Sequence, residues 1–245
     1  MKLISFSLYG QDPKYIQGMY RNIELREEIY PDWNIIIFHD NSVPDSDIKE
    51  FADMGAILRN VSEIGIYPAS WRFLAYDEPN VHRFISRDAD SRISEREAEA
   101  VREWEDSGKT FHIMRDHPHH GAPPHKPILG GMWGMVKDLN KPALDGATME
   151  IMSIIHQGGK RADTDRETWF WTDMNLLRDI FYLPLVSPEN TIIHAAEDYM
   201  HKVNWANENW TRDFPSPRNE NKNFIGEQIN IIDGKEERAW QYRDI

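Results

Sequence analysis

The chain has 245 residues and a formal net charge of −13, from 41 acidic and 28 basic side chains. Such acidity repels phosphate polymers and anionic lipid surfaces, which disfavours general nucleic-acid binding. The composition includes no cysteine, which excludes disulfides, thiolate chemistry and cysteine-based zinc sites. With no long apolar run and no signal peptide, the sequence predicts one cytoplasmic domain without a membrane span.

The first ninety residues alternate short apolar runs with amphipathic stretches, which predicts βαβ units and a largely parallel sheet. The predicted strands are Leu3–Leu8, Ile35–Phe38, Ala56–Leu58 and Arg83–Ser86. The predicted helices run from Pro13 to Tyr30, around Ile48 and Phe51, and from Ala69 to Tyr76. The fourth strand leads directly into Arg87-Asp88-Ala89-Asp90, so an acidic pair follows a strand's end.

The second part of the chain has weaker periodicity. Ser94 and Glu97 match a capping box that opens an acidic helix, and Gly108 marks its end. A strand is predicted at Thr110–Met114 and another at Thr191–His194, with a helix around 171–181. The histidines, prolines and glycines between residues 116 and 134 predict a loop, and an irregular tail follows the last strand.

The pair Asp88 and Asp90 has two interpretations. Two aspartates separated by one residue can reach the same hard cation when the backbone turns, and Mg²⁺ and Mn²⁺ prefer such oxygen ligands. An Asp-x-Asp in a solvated turn is the alternative. The apolar strand before the pair and the capped helix after it favour the metal site.

Five ordered blocks resemble a family of bacterial and phage GT-A glycosyltransferases, and the resemblance extends over most of the chain. The blocks are Ser5 to Gly10, Trp71 to Ala75, Arg87 to Arg92, His112 to His117 and Gly130 to Gly134. The resemblance implies an α/β fold, with a single GT-A (nucleotide-diphospho-sugar transferase) domain whose Rossmann-like mixed sheet is flanked by helices. Residues 1–92 would form the nucleotide-sugar-binding half and residues 93–245 the acceptor-side half.

The resemblance also implies the contacts with the donor. Asp88 and Asp90 would bind a divalent cation, Mn²⁺ or Mg²⁺, on the diphosphate of a nucleotide sugar, with a UDP-sugar as the expected donor. Arg72 would contact phosphate or nucleotide. The first-strand residues Ser5, Ser7 and Tyr9 would line the nucleoside pocket.

Two further site residues come from the second half. His194, at the end of an apolar strand, matches the place of a further metal ligand, although Ala195-Ala196 replace the His-Asp-Ser of related chains. Asp173 precedes an amphipathic helix and could cap it, whereas the resemblance implies an aspartate near the acceptor. That carboxylate would accept the acceptor's proton in an inverting enzyme, or face an oxocarbenium-like centre in a retaining one. The stereochemical outcome stays open.

The glycine-flanked Trp133 offers an indole face to a sugar ring, and Gly131 would let the backbone approach the sugar; a packed turn is the alternative. The histidines 112, 117, 119, 120 and 125 invite a zinc hypothesis. Their spacing matches no helical His-x-x-x-His pair, which favours solvated histidines in an acceptor-side loop. Trp205 and Trp210 would form a sugar-binding wall or cover the sheet.

Three other functions compete with glycosyl transfer to a glycan or another hydroxyl acceptor. A sugar-phosphate nucleotidyltransferase would need a glycine- and lysine-rich phosphate loop after the first strand, and Tyr9 to Lys14 fits that poorly. A non-catalytic sugar- or nucleotide-binding protein would keep the fold without turnover. A phage enzyme that glycosylates modified DNA bases is disfavoured by the acidity. The oligomeric state stays open.

Overall fold

The computed structural model describes residues 1–64, 67–118, 120, 127–137, 172–196 and 210–239. The strands are β1 (Lys2–Leu8), β2 (Asn34–His39), β3 (Ile57–Asn60), β4 (Arg83–Ser86), β5 (Phe111–Arg115), β6 (Trp133–Val136), β7 (Thr191–Ala195), β8 (Ile229–Ile232) and β9 (Lys235–Arg238). The helices are α1 (Pro13–Ile29), α2 (Asp45–Asp53), α3 (Glu95–Ser107), α4 (Thr172–Leu176) and α5 (Leu183–Leu185), with a 3-10 helix at Pro68–Asp77 and a π-helical stretch at Leu177–Tyr182. Within these ranges, no helix combines the length and apolarity that crossing a membrane requires.

Seven strands form one mixed sheet in the order β3-β2-β1-β4-β6-β5-β7. All neighbours pair in parallel except β6, which runs antiparallel to both β4 and β5. The carboxyl ends of β1, β4 and β5 therefore meet at one edge, where ligands bind in open α/β sheets. This arrangement confirms the predicted α/β fold with a mixed sheet flanked by helices. β8 and β9 form a separate antiparallel hairpin.

Helices cover both faces of the sheet. On one face, α1, α2 and α3 bury residues such as Met19, Phe51 and Trp104 against β1, β2 and β4. On the other face, the 3-10 helix and the helical segment from Leu176 to Phe181 pack on the sheet. Because both faces are covered, the central strands β1, β2 and β4 are buried almost throughout, as expected of parallel strands.

The predicted strands and helices of the first ninety residues are confirmed, and the main difference lies at Gly134. The sequence predicts a loop for Gly130 to Gly134, whereas β6 begins at Trp133 and inserts between β4 and β5. A methyl group on Gly134 would lie 2.9 Å from the Ile85 side chain and 2.9 Å from the Phe84 carbonyl oxygen. Glycine is therefore used here for close packing in a strand, and the loop interpretation was wrong for Trp133 and Gly134, although residues 130–132 do form a turn.

Helix α3 begins and ends as predicted, but its capping box is incomplete. The Ser94 hydroxyl accepts from the Glu97 amide at 3.3 Å, and Gly108 ends the helix at a φ of 68°. The Glu97 carboxylate instead accepts hydrogen bonds from Arg87 at 2.7 Å and from the Tyr30 hydroxyl at 2.9 Å. Glu97 is thus the buried counter-ion of Arg87, which immediately precedes the acidic pair.

The segment after β7 is fastened to the sheet by Asp116, which is fully buried at the end of β5. Its carboxylate accepts from Arg96 at 2.9 and 3.0 Å and from the Ile225 amide at 2.9 Å, and it pairs with Arg218 at 3.2 Å. A second attachment joins the Ile229 amide to the carbonyl of Asp90 at 2.8 Å. These contacts hold residues 218–229 beside the carboxyl edge.

Candidate functional site

A cavity of about 640 Å³ opens at the carboxyl edge of the sheet. Its volume is within the roughly 300–1,000 Å³ usual for small-molecule sites. Residues after β1, β4 and β5 line it, together with α4 and the segment 224–228. Among the residues predicted from the sequence, the lining includes Ser7, Tyr9, Arg72, Asp88, Asp90 and Asp173. The structure therefore brings most of the predicted donor-site residues together.

The turn that carries Asp88 and Asp90 is held by α1. The Asn22 side chain donates to the Ser91 carbonyl at 2.9 Å and accepts from the Ile93 amide at 3.0 Å. A methyl group on Gly18 would overlap the Ala89 carbonyl, so helix and turn touch backbone to backbone. Neither Asn22 nor Gly18 was identified from the sequence, because both read as ordinary residues of an amphipathic helix.

Asp90 carries an electrostatic strain that a cation would relieve. Burial raises its pKa to about 6, and the negative charge of Asp88 adds to the rise. Its nearest basic partner, Lys14, lies 3.9 Å away, beyond hydrogen-bond distance. A carboxylate that is buried beside another carboxylate is stabilised in its charged form by a cation between them.

Arg72 joins Asp88 to Asp173. Its guanidinium is almost fully buried and forks, with one nitrogen on the Asp88 carboxylate and the other on Asp173 Oδ2 at 3.2 Å. The backbone of Arg72 is clamped by β1, because the Ser5 hydroxyl donates to its carbonyl at 2.7 Å and the Ser7 hydroxyl accepts from its amide at 2.9 Å. Burial lowers the pKa of Arg72, but the carboxylates of Asp88 and Asp173 raise it by more than burial lowers it. The net pKa is above the ordinary value for arginine, so the guanidinium stays positively charged.

The clamp changes the interpretation of two predicted residues. Ser5 is fully buried and holds the Arg72 backbone, and it is not among the residues lining the cavity. Ser7 does both, since it lines the cavity and accepts from Arg72. Arg72, predicted as a phosphate or nucleotide contact, has its two terminal nitrogens on carboxylates.

Asp173 lies at the start of α4, where its Oδ1 accepts from the Met174 amide at 2.9 Å. Asp173 therefore lies within the first turn of the helix and is not its N-cap, and it also lines the cavity. Burial raises the pKa of Asp173, while Arg72 opposes the rise. A carboxylate whose pKa is moved toward neutrality is better suited to accept a proton.

Gly130 and Gly131 allow the charged cluster to sit against the backbone. A methyl group on Gly130 would lie less than 3.0 Å from both the Arg72 and Asp173 side chains. One on Gly131 would lie less than 3.0 Å from the Asp88 carboxylate. Gly131 therefore packs against Asp88 and does not line the cavity, where the predicted approach of the backbone to a sugar would take place.

The structure places Tyr9 at the cavity and Trp133 in the core. Tyr9 is partly exposed at the cavity and packs edge-on against Trp71 at 5.8 Å; burial and nearby acidic groups raise its pKa to about 12. Trp133 is 2% exposed and packs among Phe73, Phe84 and Phe181. The predicted sugar-facing role of Trp133 is therefore replaced by the alternative, a core position.

His194 is also placed away from the acidic pair. It is fully buried on β7, where one ring nitrogen faces Glu103 at 3.1 Å and the other faces His112 at 2.8 Å. Because the carboxylate accepts, His194 Nε2 carries hydrogen, so Nδ1 accepts from His112 Nε2. Both nitrogens of His194 are occupied, and the predicted third metal ligand is not brought to Asp88 and Asp90.

We expect this histidine pair to make the protein sensitive to acid. Burial lowers the pKa of His112 well below its ordinary value, with repulsion from His194 adding to it, so the folded protein binds this proton less readily than the unfolded chain. The free energy of unfolding is then not reduced by this titration above about pH 6.5. It decreases as the pH falls below that value, by up to about 1.4 kcal/mol per pH unit for each such group.

Urea unfolding between pH 8 and pH 5 measures that slope. The variant His112→Asn cannot ionise, and it should reduce the loss of stability on acidification. The same substitution at His82, which is exposed, should leave most of the slope. An unchanged slope in His112→Asn would show that other groups cause the acid sensitivity.

Among the remaining predicted residues, His117 and His120 line the cavity, but they are buried at 5% and 8% exposure and not solvated as predicted. His119, His125 and Trp205 lie outside the described residues, and Trp210 packs against the core as cover. In the described ranges, no group of three or more His, Asp or Glu side chains is arranged to hold a metal. Cavity residues missed by the sequence include Tyr15, Met174, Phe224 and Gln228; no periodicity or motif marked them.

Comparisons with known proteins give distant likenesses. No family model matches the chain, and no curated protein matches it. The structure of TarS 1-349 from S. aureus in complex with UDP-GlcNAc shares 11% identity over 51% of this chain and 38% of that chain, with a TM-score of 0.40. The structure of a glycosyltransferase involved in the glycosylation of the major capsid of PBCV-1 shares 15% identity over 79% of this chain and 80% of that chain, with a TM-score of 0.42.

The chain thus spans only 38% of the TarS 1-349 structure. Such low identities and TM-scores assign neither an activity nor a ligand to the chain.

Proposed function

We propose that the chain is a metal-dependent glycosyltransferase that moves a sugar from a nucleoside-diphosphate sugar to an acceptor hydroxyl. The observation that carries this proposal is the carboxylate cluster at the carboxyl end of β4. There, Asp88 and Asp90 face a cavity together with Asp173, and Arg72 holds Asp88 and Asp173 in one geometry. Carboxylates of this kind can hold a cation on substrate phosphates, and the cavity offers space for a ligand beside them.

The acidic pair fits Mg²⁺ or Mn²⁺. Magnesium is usually held by one or two protein carboxylates, with phosphate oxygens and water completing its shell. Asp88 and Asp90 supply that number, and the raised pKa of Asp90 is the electrostatic cost that a cation offsets. When bound, the cation would neutralise charge on the departing nucleoside diphosphate.

Other described side chains of the cavity would contact the nucleoside of the donor and the hydroxyl of the acceptor. Ser7, Tyr9 and Tyr15 lie on the β1 side of the acidic pair and would contact the nucleoside end of the donor. Asp173 would accept the proton of the acceptor hydroxyl in an inverting reaction, or stabilise the positive anomeric centre in a retaining one. Two lone pairs of its carboxylate remain after the contacts with Arg72 and Met174.

Calorimetric titration of UDP with and without Mg²⁺ or Mn²⁺ tests the donor site. UDP is the first probe because it is the nucleotide of the expected donor. We expect the metal to tighten UDP binding at least about tenfold in the wild type, and Asp88→Asn with Asp90→Asn to remove that gain. Asp53→Asn, an exposed aspartate at the end of α2, is the matched control and should bind as the wild type does.

Turnover is tested separately by release of UDP from a panel of UDP-sugars. Metal-dependent UDP binding without any turnover would favour the non-catalytic sugar- or nucleotide-binding protein. Indifference to metal, to every nucleoside diphosphate and to the double substitution would rule out the glycosyltransferase.

A further inference from the structure

The wall of the cavity opposite the β1 side is aromatic. It consists of His117, His120 and Phe224, which we name the aromatic platform. The ring of His117 lies 4.4 Å from that of Phe224 at an interplanar angle of 34°, and His120 lies 5.5 Å from both rings. The three rings pack on one another at the cavity wall, with interplanar angles of 34°, 47° and 68°.

Strand order sets the position of the platform relative to the donor site. Along the carboxyl edge, Tyr9 follows β1, Asp88 and Asp90 follow β4, and His117 follows β5. The acidic pair thus lies between the β1 side and the platform. If the diphosphate sits on Asp88 and Asp90 with its nucleoside toward β1, the platform faces the end where the sugar leaves the donor.

The platform is held firmly. Asp116, which precedes His117, accepts from the amide of Ile225, the residue after Phe224. Gly226 adopts a φ of 78°, and a methyl group there would lie 2.6 Å from Met132 Sδ and 3.6 Å from His120 Cε1. The backbone behind the platform is therefore packed closely, so the rings keep their distance from the acidic pair.

The charges of the cavity restrict what binds there. Its lining includes the carboxylates of Asp88, Asp90 and Asp173, and its only Lys or Arg among the described residues is Arg72, whose terminal nitrogens contact carboxylates. The proposed cation would offset the acidic pair for the donor's diphosphate, but no Lys or Arg of the described lining faces an anionic acceptor without already contacting a carboxylate. Gln228 adds a neutral amide beside the rings. An aromatic face with a neutral hydrogen-bonding group suits a ligand with an apolar C–H face and hydroxyls at its rim.

We propose that the aromatic platform binds a pyranose ring of a neutral carbohydrate acceptor, and that Phe224 determines specificity for it. This assignment rests on the proposed function for the direction of transfer. It narrows the acceptor from any hydroxyl compound to an uncharged saccharide whose ring stacks on Phe224 while a hydroxyl points toward Asp173.

Saturation-transfer NMR tests the platform directly. The probes are methyl glycosides of glucose, galactose and N-acetylglucosamine, with glucuronic acid and a serine-containing peptide as comparison compounds, and the protein is supplied with UDP and Mg²⁺. We expect signal on the ring C–H protons of at least one neutral glycoside and none on the comparison compounds. Phe224→Ala should weaken the signal roughly tenfold, and Phe224→Trp should restore it.

Phe214→Ala is the matched control. Phe214 is on the same C-terminal segment and is as buried as Phe224, at 8% exposure each, but it does not line the cavity. Loss of the glycoside signal in Phe224→Ala but not in Phe214→Ala would support the platform. Thermal unfolding of both variants shows that each is folded.

The outcomes separate the two proposals. UDP binding without a glycoside signal, or a signal that survives Phe224→Ala, would overturn the acceptor assignment alone. Loss of UDP affinity as the main effect of Phe224→Ala would also overturn it, since the platform would then hold the nucleotide base. Failure of every nucleoside diphosphate to bind the wild type would overturn the proposed function, whereas a glycoside signal that still depends on Phe224 would support the platform on its own.

Discussion

Replacing Arg72 with methionine is expected to lower stability by about 3 kcal/mol and turnover by roughly 100-fold or more. The substitution leaves Asp88 and Asp173 facing one another without the cation that now lies between them. The stability loss is at the lower end for a broken buried pair because the Asp88 side chain is 43% exposed. Urea unfolding and UDP release from UDP-sugars measure the two effects.

Two further variants make the Arg72 prediction specific. Arg72→Lys keeps the positive charge, but one ammonium group cannot reach both carboxylates. Compared with Arg72→Met, we expect this variant to recover part of the lost stability and a smaller part of the lost turnover. Arg21→Met removes an exposed pair with Glu24 and should change stability by less than about 1 kcal/mol. Equal effects of Arg72→Met and Arg21→Met would contradict a role for Arg72 in holding the site.

Replacing Gly131 with alanine is expected to lower turnover roughly 100-fold while the protein stays folded. The new methyl group would lie less than 3.0 Å from Asp88 Oδ2, so the Asp88 side chain must move relative to Arg72 and the displacement falls on the proposed metal ligand. A misplacement of about 1 Å is sufficient for such a loss. Metal-dependent UDP binding should weaken in parallel.

Gly134→Ala is the control for Gly131→Ala. Both residues are glycines within the same stretch of chain, but a methyl group on Gly134 would press on Ile85 and the backbone of Phe84 in the sheet. We expect this variant to lose stability and, at temperatures where it is folded, to bind UDP with metal as the wild type does. Normal UDP binding and turnover in Gly131→Ala would show that Asp88 is not positioned as the proposed chemistry requires.

The first half of the fold was predictable because its signals are local. Short segments rich in apolar residues mark β1, β2 and β4. The helix start at Pro13 is supported by Asp12, whose side chain accepts from the Lys14 amide at 3.0 Å. β6 was not predictable. Its four residues include a glycine and follow two more, and only the space between β4 and β5 makes an extended conformation favourable there.

The candidate site was predictable in its residue types but not in its contacts. Asp88 and Asp90 follow an apolar strand, and that placement is visible in the sequence. The fork from Arg72 to Asp173 joins residues 101 positions apart, and Phe224 reaches the cavity only because Asp116 holds the neighbouring amide. Such long-range contacts leave no periodic pattern. The sequence therefore assigns Ser5 to the nucleoside pocket and His194 to a metal, whereas in the structure both side chains make hydrogen bonds inside the protein.

The position of β6 between β4 and β5 determines when the site can form during synthesis of the chain. β1 to β4 are complete by residue 86 and can pair as a local, parallel half-sheet. The groups that surround the carboxylates of residues 88 and 90 are synthesised later: Gly131, Asp173 and the Ile229 amide. Because contacts of long sequence separation form last, the nascent chain carries an acidic pair well before it carries a pocket.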